Sequence, residues 1–234
     1  MSLSLQVVLV VYGVFVAAYC FHKKFESKRL IRILSKTLCS AGFLTAAVLC
    51  GLESGFQKEP LWSWGILSAL VFSAVGDLLL ALQKGEAGKK KFDRFTLGGI
   101  SFFWAHILFS AVFLRYQGFH WISAAVSLAL VGFQCWVLIR AKRPFELFSV
   151  FSLIYLAALG FMAGSGLWFF TKISLAGPSP YLVFTAVGAA LFLVSDLLLC
   201  YKLFLNKKAD WVNVGNTITY FGGQMLFAMT ILYV

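Results

Sequence analysis

The sequence predicts an all-α polytopic membrane protein of about eight transmembrane helices, arranged as two four-helix parallel repeats. Three observations carry this. Of 234 residues, 61% are hydrophobic and only 12% charged, whereas soluble domains run nearer half apolar and a quarter charged. The apolar residues fall in runs of about 20, the length that crosses a hydrocarbon core. The basic residues gather in alternate connections, as positive-inside sorting demands.

The spans follow in order. The first run, 3–21, has no basic stretch ahead of it and no cleavage site behind it, so it reads as a retained helix and not a removed signal. The second and third cover 32–52 and 61–82. The fourth, 95–115, and the fifth, 119–140, are separated by little more than "QGFH". The last three are 146–170, 180–204 and 211–233. Together they fill the chain, leaving one integral membrane domain, 1–234, with no room for a soluble one.

Lys23, Lys24, Lys28, Arg29 and Arg32 lie in the first connection, and Lys84, Lys89, Lys90, Lys91 and Arg94 in the third. Arg140, Lys142 and Arg143 lie in the fifth, and Lys202, Lys207 and Lys208 in the seventh. The even connections hold only Lys58, Arg115 and Lys172. The odd loops are therefore expected in the cytoplasm and both termini on the far side, in a bacterial inner membrane or an endoplasmic reticulum membrane. In a soluble protein the net charge of +11 would suggest a nucleic-acid partner. Here it reads as membrane orientation, and the same surface suits acidic membrane lipids. Cys20, Cys39, Cys50, Cys135 and Cys200 are unpatterned and sit in or beside apolar runs, as small core hydrophobes do.

Seven of the nine acids lie in loops or at helix ends; Asp77 and Asp196 do not. Asp77 stands in "VFSAVGDLLLAL" and Asp196 in "LFLVSDLLLCYK", each followed by three leucines. With Lys36 they are the charges left inside predicted spans. Offset by 118 or 119 residues, "AVGDLLLA" lies over "LVSDLLLC", "LCSAGFL" over "LAALGFM", and "HILFS" over "QMLFA", which sets His106 over Gln224. These matches divide the chain into repeats 1–118 and 119–234. Four helices per half give both the same orientation, a parallel repeat.

Both aspartates fall roughly 8 Å inside the cytoplasmic helix ends, and His106 roughly 16 Å inside, at 1.5 Å per residue. Lys36 is within a turn of the same boundary. Tyr155 occupies the repeat position of the Lys36 region, and Asn216, Tyr220 and Gln224 at i, i+4 and i+8 form a polar stripe on the last helix. A charge at mid-bilayer costs at least about 2.5–3.5 kcal/mol on insertion scales. Pairing, a wet cavity or neutrality relieves that cost. Two neighbouring carboxyls resist ionising together, so one is expected to hold a proton, the division of labour that acid–base hydrolysis requires.

Plainer readings stand beside this one. Lys36 could pair with an aspartate only to fix packing, and the His106 and Asn216/Tyr220/Gln224 positions could serve interhelical hydrogen bonding. Gly160 to Gly166 includes small-xxx-small spacing for close helix approach. With His106 the one histidine away from the ends of a predicted span, a metal site is not expected. No cofactor is expected either, since there is no P-loop, dinucleotide fingerprint or G-x-S-x-G elbow.

The set "VFSAVGDLLLAL", "GGISFFWAHILFSAVF", "YLAALGFMAG", "LFLVSDLLLCYKLF" and "TYFGGQML", in that order, resembles the YhhN-type lysoplasmalogenases, eight-span membrane hydrolases. The resemblance runs from about Lys36 to Gln224. It implies hydrolysis of the vinyl-ether bond of a lysophospholipid substrate, a lysoplasmalogen, to a fatty aldehyde and glycerophosphocholine or glycerophosphoethanolamine. It also implies catalytic roles for Asp77 and Asp196, and supporting roles for Lys36, His106, Tyr155, Ser195, Tyr220 and Gln224; Asn216 joins them from the polar stripe. Lys36, near headgroup level, would bind the substrate phosphate, while His106, Tyr220 and Gln224 would orient water or the glycerol. A proton-coupled transporter or lipid carrier is the competing reading, because repeats with intramembrane carboxylates also build transporters.

Overall fold

The computed structural model describes residues 1–25, 28–83, 93–140, 147–205 and 210–234, with positions 24, 147, 148 and 203–205 described through the backbone alone. Eight helices account for nearly all of these residues: α1 (Leu3–Lys24), α2 (Arg29–Ser54), α3 (Pro60–Ala81), α4 (Arg94–Gln117), α5 (Trp121–Arg140), α6 (Leu147–Ala176), α7 (Pro180–Leu205) and α8 (Asp210–Tyr233). No strand occurs among the described residues. Lys84, Lys89, Lys90, Lys91, Lys142, Arg143, Lys207 and Lys208, and the acids Glu26, Glu86 and Glu146, lie outside the described residues, as does the Lys24 side chain.

The helix ends follow local chemistry. Ser2 Oγ accepts the Leu5 amide of α1, and Asp93 Oδ1 accepts the Thr96 amide of α4 at 2.8 Å, each satisfying an orphan donor of a first turn. Pro60 and Pro180 open α3 and α7, where a missing N–H costs nothing. Gly55 closes α2 at φ 68°, and Gly177 follows α6 at φ 85°, a conformation that glycine enters without Cβ penalty. α6 runs to Ala176, six residues past its apolar run. Lys172 is accordingly a helix residue and not a loop residue; its ammonium donates to the Tyr116 carbonyl at 3.0 Å.

Seven helices are long and apolar enough to cross a membrane; α8 falls short of the required apolarity. Its polar stripe is the reason, and its surroundings supply the remedy: α8 packs against α7, α2, α1 and α3, so its polar side chains meet protein and not lipid. Leucines and valines such as Leu3, Val10, Leu128 and Leu175 cover the outside, a surface suited to a hydrocarbon solvent. The chain is therefore a multi-pass integral membrane protein.

α3 packs on α4 and α7 on α8, while α2 reaches across to α8 and α4 to α6. The two ends of the bundle differ. At one end Ser2 N–H donates to Glu53 at 3.0 Å, Tyr116 OH donates to Glu59 at 2.6 Å, and Tyr233 packs edge-on against Phe184. Both termini lie here. At the other, basic end, Arg29 and Arg94 donate to the Leu82 carbonyl and Lys202 to Asn213 Oδ1. Trp62 anchors the core nearer the terminal end, fully buried among Phe113, Tyr116, Phe169 and Tyr181, with its indole N–H donating to Thr230 at 2.9 Å.

Candidate active site

Asp77 lies one turn from the basic end of α3, where α2 and α8 supply donors to it. Its Oδ1 is 2.9 Å from Lys36 Nζ on α2, and its Oδ2 accepts hydrogen bonds from Ser40 Oγ at 2.7 Å and Tyr220 OH at 2.8 Å. Lys36 and Ser40 are four residues apart, so one face of α2 provides two donors. The carboxylate is almost wholly buried, and three donors including an ammonium offset the loss of water. Gly76, its neighbour in the sequence motif, is required by packing. A Cβ there would stand 2.7 Å from the Phe102 ring.

Asp196 on α7 has a different environment. Its Oδ2 accepts Tyr155 OH from α6 at 2.6 Å, and His106 Nε2 on α4 is 3.8 Å from the same oxygen, beyond hydrogen-bond range. The side chain reaches a narrow apolar crevice of about 70 Å³ between α3, α4, α6 and α7. Phe95, Phe102, Phe151, Leu156 and Leu199 form most of its wall. Asp77 does not line this crevice. Among the described residues the carboxyl groups make no hydrogen bond to each other.

Two rings connect the acids. Phe192 packs edge-on against His106 at 5.1 Å and against Tyr220 at 5.5 Å. Phe102, a wall of the crevice, packs edge-on against Tyr220 at 5.9 Å. Several buried polar groups have no hydrogen-bond partners among the described residues, among them Ser73, Ser110, both nitrogens of His106 and both amide atoms of Gln224. Ser73 is one turn from Asp77 and Gln224 one turn from Tyr220, in the direction of the terminal end. The helix faces joined by the Asp77–Tyr220 bond thus continue into Ser73 and Gln224. Buried polar atoms of this kind are ordinarily satisfied by ordered water.

Of the residues singled out in the sequence, Lys36 and Tyr220 meet Asp77, and Tyr155 and His106 meet Asp196. Ser195 and Asn216 are brought to each other instead. The Asn216 amide donates to the Ser195 carbonyl at 2.9 Å and to its hydroxyl at 3.0 Å, tying α7 to α8. Ser40, Ser73, Phe102 and Phe192 were not singled out. Ser40 is at i+4 from Lys36 and Ser73 at i−4 from Asp77, so helical spacing from residues already chosen would have found both. Nothing local marks the two phenylalanines among 25. Among the described residues no three His, Cys, Asp or Glu side chains gather as metal ligands would.

A family model, that of the YhhN family, matches residues 31–231. No curated protein sequence and no solved structure matches the chain. The match spans α2 to α8 and takes in both carboxylates with every partner named above; the chain belongs to the YhhN family.

Proposed function

We propose that this YhhN-family chain is a membrane hydrolase that cleaves the vinyl-ether bond of lysoplasmalogens, releasing a fatty aldehyde and a glycerophospho-alcohol by two-aspartate acid–base catalysis. The observation that carries the reading is the unequal setting of the two acids. One carboxyl opens on an apolar crevice between helices; the other does not line that crevice and is fixed by an ammonium and two hydroxyls. Environments that differ so sharply divide acid from base in two-carboxyl hydrolysis.

A vinyl ether reacts when its β-carbon takes a proton. Asp196, which meets the crevice where an alkenyl chain would lie, is assigned as the acid. Protonation turns the double bond into an oxocarbenium ion whose charge is shared between carbon and oxygen. The negative charge of Asp77, held in place by Lys36, Ser40 and Tyr220, stabilises that cation. Water held by unpartnered polar groups such as those of Gln224, Ser73 and His106 adds to the cationic carbon and gives up a proton towards the Asp77 carboxylate. The resulting hemiacetal breaks its carbon–oxygen bond to glycerol as Asp77 passes its proton to the glycerol oxygen, and the hemiacetal hydroxyl returns its proton to Asp196 as it becomes the aldehyde carbonyl, which resets both acids. One water is consumed and no net proton is gained or lost.

The test is turnover by purified protein in detergent with lysoplasmalogen and with its saturated-ether analogue, which has no carbon to protonate. Aldehyde release from the first alone, abolished in a folded Asp196→Asn variant, supports the reading. Undiminished release by Asp196→Asn removes the two-acid mechanism, and no release by the intact protein removes the activity.

A further inference from the structure

At the basic end of the bundle lies a second cavity, of about 440 Å³, bounded by α1, α2, α3, α7 and α8. Its size is that of a small-molecule site. Tyr19, Lys23, Arg29, Arg32, Lys202 and Asn213 are among its lining residues, and the described lining holds four cationic side chains against one carboxylate, Asp210. Two of the cations, Lys23 and Arg29, are oriented by neutral acceptors, which do not cancel their charge. Lys23 Nζ donates to the Asn213 carbonyl at 3.1 Å and to Thr217 Oγ1 at 3.0 Å, and stands 5.7 Å over the Tyr19 ring. Lys202 Nζ donates to Asn213 Oδ1 at 2.8 Å, and Arg29 to the Leu82 carbonyl at 2.9 Å. Arg32 makes no side-chain hydrogen bond or ion pair among the described residues.

Gathering cations in one concavity is unfavourable by itself and becomes favourable when an anion is shared between them. A guanidinium fork beside fixed ammonium groups matches a tetrahedral oxyanion: Arg binds it bidentately and Lys as a point charge. The floor of the cavity includes Ile33 and Ala81, three residues from Lys36 and four from Asp77 along their helices. The lining of the cavity thus comes within about one helical turn of Lys36 along α2 and of Asp77 along α3. Lys36 itself is occupied by Asp77 at 2.9 Å, which leaves the phosphate to the residues of this cavity.

We infer that this cavity is a phosphoryl-anion site that takes the headgroup phosphodiester of a lysophospholipid while the chain lies in the apolar crevice beside Asp196. The inference rests on the hydrolase reading for its choice of ligand, and its test does not depend on turnover. Binding is measured by titration calorimetry on the purified full chain with three probes: inorganic phosphate, glycerophosphoethanolamine, and a saturated-ether lysophospholipid that cannot be hydrolysed. Arg32→Gln and Lys202→Gln, checked for monodispersity and thermal unfolding, are compared with the parent, and Arg32→Lys serves as the conservative variant.

The expected result is about tenfold weaker binding of the phosphodiester probes in each Gln variant, with partial recovery in Arg32→Lys, because a hydrogen bond to a charged group contributes on this order. Where lysoplasmalogen turns over, KM rises by a similar factor and kcat stays within about twofold, the signature of lost uniform binding. Binding of inorganic phosphate as well marks a site for any phosphoryl anion; binding of the phosphodiesters alone marks a lipid headgroup site. Unchanged affinity for all probes in both Gln variants, or no binding by the parent, overturns the inference, whether or not the hydrolase reading survives.

Discussion

Lys36 of α2 and Asp77 of α3 meet at 2.9 Å inside the helix bundle, with the carboxylate side chain 2% exposed. Removing one member of a buried pair leaves an uncompensated charge, at a cost of about 3–5 kcal/mol, whereas replacing both by apolar groups is often neutral. Lys36→Met is therefore expected to lower the unfolding temperature more than the Lys36→Met/Asp77→Leu double variant does. Thermal unfolding of the two singles and the double in one detergent measures this. Strictly additive shifts would show that the pair is not coupled.

Tyr220 and Tyr155 each donate one hydrogen bond to a different aspartate. Phenylalanine keeps either ring and its packing, so Tyr→Phe isolates the hydroxyl, which contributes about 1.5–3 kcal/mol when its partner is charged. Both variants should stay folded and lose about tenfold or more in kcat, on the scale where 1.4 kcal/mol is a factor of ten. Wild-type kcat in both would place the hydroxyls outside the chemistry.

The close approach of α5 and α6 depends on glycine. A Cβ at Gly160 would stand 2.6 Å from Ser127 Cα, and one at Gly164 would stand 2.7 Å from Ser123 Cα. Backbone cannot move aside as a side-chain tip can, so Gly160→Val is expected to separate the helices and lower the unfolding temperature by several degrees. Gly132, whose added Cβ would meet nothing within 4 Å, is the control: Gly132→Ala should leave the temperature unchanged or raise it.

Trp62 fills the core far from both acids. Trp62→Ala should cost about 3–5 kcal/mol, while Trp62→Phe should cost less, losing the indole's bond to Thr230. If the site is where the acids are, turnover per folded molecule stays at the parent level in Trp62→Phe. Titration of active sites against thermal stability separates the two effects, and a large loss in kcat with full stability would contradict this placement.

The spans were legible because membrane insertion is a test of composition: a run of about 20 apolar residues crosses whatever its neighbours do. The end of α6 was not, because Lys172 interrupts the pattern and its reason for being helical, the Tyr116 carbonyl, lies 56 residues away. Asp77, Asp196 and Lys36 stood out because charge inside an apolar run is costly wherever it occurs. The pairing of Ser195 with Asn216 was hidden, because a short hydroxyl and an amide satisfy each other or a substrate equally well until the helix faces are known.

Sequence alone determined that the chain lives in a membrane, how many helices it forms and which charges needed explaining, since each of these follows from the cost of a residue in hydrocarbon. Tertiary structure decided the company each charge keeps. It gave Asp77 an ammonium and two hydroxyls, and Asp196 one phenol and an apolar crevice. Near-identical motifs acquired unequal chemistry because the donors come from other helices, and which helix faces which is settled only when the whole bundle packs.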